Sequence, residues 1–283
     1  MNAIEINGLI KKLGDFKLDI DNFEIEKGII TGFVGKNGAG KSTTINLIMN
    51  FLRRDSGNIK ILGKEYTGKE LNIKEKIGYI GDKSGFMKES RLKDIKNSIS
   101  LFYKNWDEEL YNNLIKKFEL DESKVYKDCS KGQQRKFDIT MALSHKPEIL
   151  IMDEPTSNLD PVVRDEFIEI IQNIMEKYEM TVFYSTHITS DLENVCDSIA
   201  FIEDGKIFLK GYRDDIIDSH KIVKGRLELL DNETRKYFIS IDENKFGFEG
   251  LTNDCESVFE LMGEEATYSR PKIEDLLKFY IRR

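Results

Sequence analysis

The stretch "GFVGKNGAGKST" (residues 32–43) decides the fold, because it sets glycines at 35, 38 and 40 immediately before a lysine and two hydroxyls. Successive backbone N–H groups can wrap an anion only where no Cβ blocks their approach, so this much bare backbone points to a phosphate chain. Gly35, Gly40, Lys41 and Ser42 match the pattern GxxxxGK[ST]. Ahead of it, residues 29–34 form a nearly continuous apolar run, as expected of a central parallel strand. Behind it, Ile45, Ile48, Met49 and Leu52 share one face at helical spacing. In this strand, loop and helix context the amides of Asn37, Gly38, Ala39 and Thr43 are expected to hold phosphate oxygens. Lys41 should reach the β- and γ-phosphates and Ser42 should coordinate Mg²⁺. Outside that context the same residues would read as a glycine turn beside a surface lysine.

Three further stretches carry chemistry. In "EILIMDEP" (148–155) four apolar residues precede two carboxylates, which suits a buried strand whose C-terminal end meets a nucleotide crevice. Asp153 is then expected to hold Mg²⁺ through water or through Ser42, and Glu154 to act as general base on the attacking water. Alone, a strand ending in "DE" is a common solvated edge. "CSKGQQ" (129–134) places Ser130 and Gly132 at the start of a helix, a second anion-binding terminus, although Ser130 read by itself is simply an N-cap. "STHITSDLE" (185–193) puts His187 just after a strand, where an imidazole can contact a γ-phosphate.

The 283 residues, 40% of them hydrophobic, suffice for about two domains. A net charge of −8 is unlike the basic footprint of a nucleic-acid binder, so no nucleic-acid partner is expected. No apolar run approaches the roughly 20 residues needed to cross a bilayer, and Glu5 and Asp15 are foreign to a signal peptide; the expectation is a chain on the cytoplasmic side that spans nothing. Cys129, Cys196 and Cys255 form no CxxC pair, against zinc, iron–sulfur or a disulfide framework.

The N-terminal "FKLDI" and "FEI" alternate as half-buried antiparallel strands do. "LKDIKNSISLFYKNW" (92–106) and "EELYNNLIKKFEL" (108–120) read as helices of an inserted subdomain. Strand character returns near 149–152 and 181–184, separated by a helix opened by Asp160 as cap and Pro161 at its first position, with Val163, Phe167, Ile170, Ile171 and Ile174 as its buried face. "SIAFIEDGKIFLKG" (198–211) reads as a hairpin turning at Asp204-Gly205. Beyond about residue 215 the segments "RLELL", "YFISI" and "FGFEG" suggest a small αβ appendage ending in a helix over 273–281.

With GKNGAGKS, CSKGQ in place of a signature LSGGQ, ILIMDEP, SNLD and STH in this order, the sequence resembles the ATP-binding subunits of ABC transporters over about residues 3–211. "FYKNWDEEL", "LSHKPEILIMDEPTSNLDPVVR" and "STHITSDLE" are most similar to the single-domain ATPases that pair with ABC-2-type permeases, many of them bacterial exporters. The resemblance implies an α/β fold: a P-loop NTPase with a RecA-like core, an antiparallel β layer and an inserted helical subdomain at about 83–146. These make an ATPase domain over 1–214, followed by a small C-terminal αβ accessory domain over 215–283. It also implies ATP and Mg²⁺ as cofactors, a separate transmembrane permease as partner, and a peripheral position on the cytoplasmic face of the membrane. A second ATPase subunit, a copy or a close relative, would pack head to tail. Ser130, Gly132 and Gln133 would then act in trans, Asp160 would line the dimer seam and His187 would sense the γ-phosphate. The aromatic-rich residues 84–106 are the candidate permease-docking surface.

Three positions depart from the family pattern. Asp82, in "IGYIGD", stands where a glutamine that approaches Mg²⁺ or water is usual. Leu13 stands where an aromatic usually stacks on adenine, leaving Phe16 as a substitute. Lys131 replaces the first signature glycine. A soluble ABC-type ATPase of DNA repair, chromosome structure or translation is the rival. Lys41 and Asp153 lie only 112 positions apart, too close for a long coiled coil between them, and the chain has one set of motifs rather than two. A regulatory module that binds ATP without turnover is a third reading; Glu154 and His187 oppose it.

Overall fold

The computed structural model describes residues 1–282, apart from residues 68, 158 and 179 and the side chain of residue 176. Asn2–Leu13 (β1) and Phe16–Glu26 (β2) pair as an antiparallel hairpin, and Ile30–Val34 (β3) then runs into the helix Lys41–Ile48 (α1). Ser56–Ile61 (β4), Lys64–Glu65 (β5), the short helix Leu71–Lys74 (α2) and Ile77–Ile80 (β6) follow. Three helices come next: Leu92–Ser100 (α3), Glu108–Lys117 (α4) and Lys131–Leu143 (α5). Ile149–Asp153 (β7), Pro161–Tyr178 (α6) and Thr181–Thr186 (β8) return to the sheet, and Ser198–Glu203 (β9) with Lys206–Tyr212 (β10) form a hairpin. The C-terminal part comprises Arg213–Asp218 (α7), Lys221–Gly225 (β11), Ser240–Asn244 (β12), Gly247–Thr252 (β13), Cys255–Met262 (α8), Thr267–Ser269 (β14) and Ile273–Ile281 (α9).

The central six-stranded sheet has the order β10-β9-β3-β8-β7-β6, parallel from β9 to β6, with β10 antiparallel at the edge. Every residue of β3, β7 and β8 is buried. Strands covered on both faces favour apolar residues, which is why β3 and β7 read as runs rather than alternations. One face packs on α1 and on the antiparallel sheet β2-β1-β4-β5, through Ile4, Ile6, Leu18, Phe23, Phe33 and Phe183. The other packs on α5 and α6, through Phe137, Leu150, Met152, Phe167, Ile171 and Tyr184. β3, β7 and β8 all end on the same side, and the crevice beyond their C-terminal ends receives the functional side chains.

Several boundaries differ from the sequence reading. α1 stops at Ile48 because Asn50 adopts φ +54°, a left-handed helix terminator; Met49 and Leu52 leave the helix yet still pack on the core. α3 ends at Ser100 rather than continuing to Trp106, and the next helix restarts where the Asp107 carboxylate accepts the Leu110 N–H at 2.8 Å. "RLELL" is a 3-10 turn, not a strand. The β9–β10 turn has Asp204 at φ +46° and Gly205 at φ +76°, as the Asp-Gly pair demands. Asp160 caps α6, its Oδ1 accepting the Val163 N–H at 3.2 Å.

The C-terminal sheet, β12-β13-β11-β14, has a small core of Val223, Phe248, Val258, Met262 and Ala266. Its flanking helices α7 and α9 pack instead into the main core through Ile216, Ile217, Ile273, Leu276 and Phe279. Among the described residues no helix is long and apolar enough to cross a membrane.

Candidate functional site

The glycine loop works by close approach. A Cβ on Gly35 would lie 2.4 Å from the Ile202 carbonyl oxygen, and Gly40, at φ +115°, turns the chain into α1 as its N-cap. No side chain caps α1 and its first turn has no acidic residue, so its free N–H groups and positive dipole end are left for an anion. Ala39 is buried beneath the loop, its N–H held by the Lys36 carbonyl at 3.2 Å. Lys41, at position N1 of the helix, is only 5% exposed. Its Nζ donates to the carbonyls of Gly35 (2.7 Å) and Lys36 (3.1 Å) and lies 3.0 Å from Glu154 Oε1. That buried Oε1 accepts no hydrogen bond among the described residues, and the Lys41 ammonium compensates it by charge.

β7 delivers both carboxylates. Asp153, its last residue, is buried with Oδ1 accepting the Ser185 hydroxyl of β8 at 3.0 Å. Burial pushes the Asp153 carboxyl above its ordinary range, while the Ser42 and Ser185 hydroxyls pull it back down. Glu154 follows at φ +50° with its N–H bonded to the Ser185 carbonyl at 2.9 Å. A non-glycine residue held there stores about 1–3 kcal/mol of strain, and the turn aims its carboxylate back into the crevice. Glu154 Oε2 accepts from His187 Nδ1 at 2.7 Å and from the His187 backbone N–H at 3.3 Å. Lys41, Glu154 and His187 thus form one chain of charge-assisted contacts across three elements.

These groups open on a cavity of about 520 Å³ lined by Phe16, Asn37, Gly38, Gly40, Lys41, Ser42, Thr43, Asp82, Glu154, Ser157 and His187. The cradle, both predicted base and switch residues, and Asp82 are therefore brought together. Leu13 is not: it sits at the β1–β2 turn, 42% exposed, and Phe16 from the opposite strand supplies the aromatic wall. A one-strand offset across a tight hairpin exchanges the two positions. Ser130, Gly132, Gln133 and Asp160 do not line this cavity. Ser130 instead caps α5 in a reciprocal box, its Oγ accepting the Gln133 N–H at 3.2 Å and its own N–H bonded to Gln133 Oε1 at 3.1 Å. Ser157, whose hydroxyl donates to Asp82 Oδ1 at 3.2 Å, and Ser185 head the SNLD and STH stretches but are given no role there; their contacts with Asp82 and Asp153 bring them to the site.

A phosphate-binding loop between a parallel strand and a helix, with a carboxylate pair at the end of β7, separated from β3 by β8 alone, defines a P-loop ATPase of the ATP-binding-cassette class. A family model described as "ABC transporter" matches residues 18–157. The bacitracin transport ATP-binding protein BcrA of Bacillus licheniformis is 33% identical over 72% of this chain and 68% of its own length. A putative ABC transporter ATP-binding protein of Mycoplasma pneumoniae is 33% identical over 89% of this chain and 78% of its own. A solved structure of an ATP-binding subunit of an ABC transporter superposes with a TM-score of 0.68 at 27% identity, over 76% of this chain and 92% of that one. The chain belongs to the ATP-binding proteins of ABC transporters: it binds ATP and hydrolyses it as a transporter ATPase.

Proposed function

We propose that two such subunits, identical or closely related, close head to tail around ATP at the cytoplasmic face of the membrane and drive a separate transmembrane permease, in the export direction. The observation that carries this reading is the position of the Ser130 terminus. It is exposed at the start of α5 and absent from the lining of the chain's own P-loop cavity. Ser130, Gly132 and Gln133 therefore act on the nucleotide of the facing subunit, with Asp160 at the seam. Residues 1–214 form the ATPase domain and residues 215–283 its accessory domain. Export is supported by the sequence resemblance to ATPases that pair with ABC-2-type permeases and by the relative named for bacitracin transport. The permease docks where Phe51, Tyr79, Phe86, Ile99 and Tyr103 line a cavity of about 360 Å³, beside Leu101 and Phe102, which are 85% and 80% exposed.

Phosphate enters against the Lys41–Glu154 ion pair. Two of the three ammonium protons are already committed to loop carbonyls, so gripping a γ-phosphate draws Lys41 off Glu154. The freed carboxylate takes a proton from water as its oxygen bonds to the γ-phosphorus and the bond to the ADP oxygen breaks. His187 keeps Glu154 oriented through Nδ1 and stands at the γ-phosphate end. The buried Asp153 carboxylate beside the Ser42 hydroxyl is an all-oxygen donor pair of the kind Mg²⁺ takes. Asp82 lines the same cavity as Ser42 and would supply a further carboxylate oxygen. When bound, Mg²⁺ would neutralise charge on the β- and γ-phosphate oxygens.

The test mixes Lys41→Ala with Ser130→Arg subunits. Each variant alone should be inactive, whereas a heterodimer contains one intact composite site and should recover up to about half of the parental turnover per dimer. Zero recovery in verified mixed dimers would refute trans action.

A further inference from the structure

Behind the cavity, α5 grips the loop that carries Asp82. Arg135, 7% exposed, donates from Nη1 to the Gly81 carbonyl at 2.6 Å and from Nη2 to the Asp82 carbonyl at 2.7 Å. Its Nη1 also meets Asp138 Oδ2 at 3.3 Å, one turn further along the helix. Asp138, equally buried, accepts the Tyr126 hydroxyl at 2.8 Å and a hydrogen bond from the Ser84 hydroxyl. Residues 81–84 are thus tied to α5 at Gly81, Asp82 and Ser84. The opposite face of the same loop presents the Asp82 carboxylate to the P-loop cavity, where Ser157 donates to it. Arg135 lies five positions after Ser130, the N-cap of the same helix. One rigid element therefore carries the terminus presented outward and the clamp that sets Asp82 inward.

We infer that Arg135 is a positioning residue for ATP hydrolysis: through the Gly81 and Asp82 carbonyls it fixes where the Asp82 carboxylate stands at the nucleotide, and couples that placement to the Ser130 terminus. A planar guanidinium suits the task. Two parallel N–H vectors bind two successive carbonyls in fixed register, which an ammonium cannot do, and a buried charge satisfied at three acceptors holds its rotamer. A displacement of about 1 Å at a reacting site can lower turnover by about 10²-fold, so a clamp without any substrate contact can still govern rate.

The test is a double-mutant cycle on purified full-length protein, with ATPase kinetics and thermal unfolding as readouts. Arg135→Met should lower kcat by about 10- to 100-fold with KM for ATP within about threefold of the parent, because the phosphate cradle is untouched. Asp82→Ala should lower kcat too, and the double variant should be no slower than the slower single one, since Arg135 acts through Asp82. Arg135→Lys should recover part of the loss. Multiplying losses, an Asp82→Ala variant at parental kcat, or a folded Arg135→Met variant within twofold of the parent would each overturn the inference. If Arg135→Met fails to fold, Tyr126→Phe, which removes one support of Asp138, should still lower kcat severalfold at constant KM; a parental rate would overturn it likewise. The inference rests on the assignment of the P-loop cavity as the hydrolytic site. Parental turnover in a Glu154→Gln variant would defeat that assignment, whereas the outcomes just named defeat this one alone.

Discussion

Glu154 concentrates the chemistry of a single residue: a left-handed backbone, a buried carboxylate, and contacts to Lys41 and His187. Glu154→Gln keeps shape and neutralises the base, so turnover should fall by about 10²- to 10⁴-fold while equilibrium ATP binding persists; steady-state hydrolysis and nucleotide titration measure the two. Strain makes a separate prediction. Glu154→Ala and Glu154→Gly both delete the carboxylate, but only glycine relaxes φ +50°, so the glycine variant should be more stable by about 1 kcal/mol in denaturant unfolding. At this scale the sequence was legible in placement where spacing defines it: Lys41, Ser42, Glu154 and His187 line the cavity, and Asp153 is buried beside Ser42. It offered Phe16 only as a substitute for Leu13, since the choice between them depends on which side of a hairpin faces the loop, and it was not legible for Arg135, whose partners are backbone carbonyls more than 50 positions away.

Elements add what residue types conceal. Helix α5 buries Arg135 and Asp138 among Phe137, Ile139 and Met141, although charged side chains are ordinarily read as a solvent-facing stripe. Burial raises the Asp138 carboxyl to about 6, partly offset by Arg135. Relative to an unfolded value near 3.9, the native state holds this proton more tightly, so the stabilisation is fully present below about pH 4 and is lost as pH rises to about 6. Two pH units correspond to about 3 kcal/mol. An Asp138→Asn variant lacks this titration: between pH 4 and pH 6.5 the parent should lose stability relative to it by an amount of that order, read from denaturant midpoints at each pH. A parent and variant running parallel across the window would contradict the assignment. Helix existence was foreseen for α3, α4 and α6, as was the Asp160–Pro161 start of α6, but the ends of α1 and α3 were not, because Asn50 stops α1 through its backbone geometry and α3 stops at Ser100 before the Asp107 cap that opens α4.

On the scale of the molecule, the C-terminal part is held to the ATPase core by α9. Phe279 is fully buried in the main core, Tyr280 stacks on Phe208 with centroids 5.3 Å apart, and His220, kept neutral by burial, has its Nε2 2.9 Å from the Tyr280 hydroxyl. The Ile273 N–H donates to Glu193 Oε1 at 2.8 Å, just beyond the turn Thr189–Asp191 that follows His187. Asp191, buried in that turn, accepts from the Thr156 and Tyr184 hydroxyls and so links α9 to the loop after Glu154. Phe279→Ala should therefore cost about 3–5 kcal/mol and shift one common unfolding transition; circular dichroism melts showing an early separate transition of the C-terminal part would speak against a shared core.

The sequence by itself determined the catalytic cassette, because a phosphate cradle, a buried parallel strand and a carboxylate pair are local patterns whose chemistry follows from residue type and spacing. Only the tertiary structure decided that Phe16 rather than Leu13 walls the cavity, that Ser130 is absent from its lining, that Arg135 clamps the Asp82 loop, and that α9 joins the main core. Each of these is a contact between segments distant in the chain or across a turn, set by how side chains fill a common interior, and packing of that kind leaves no periodic trace in any single segment.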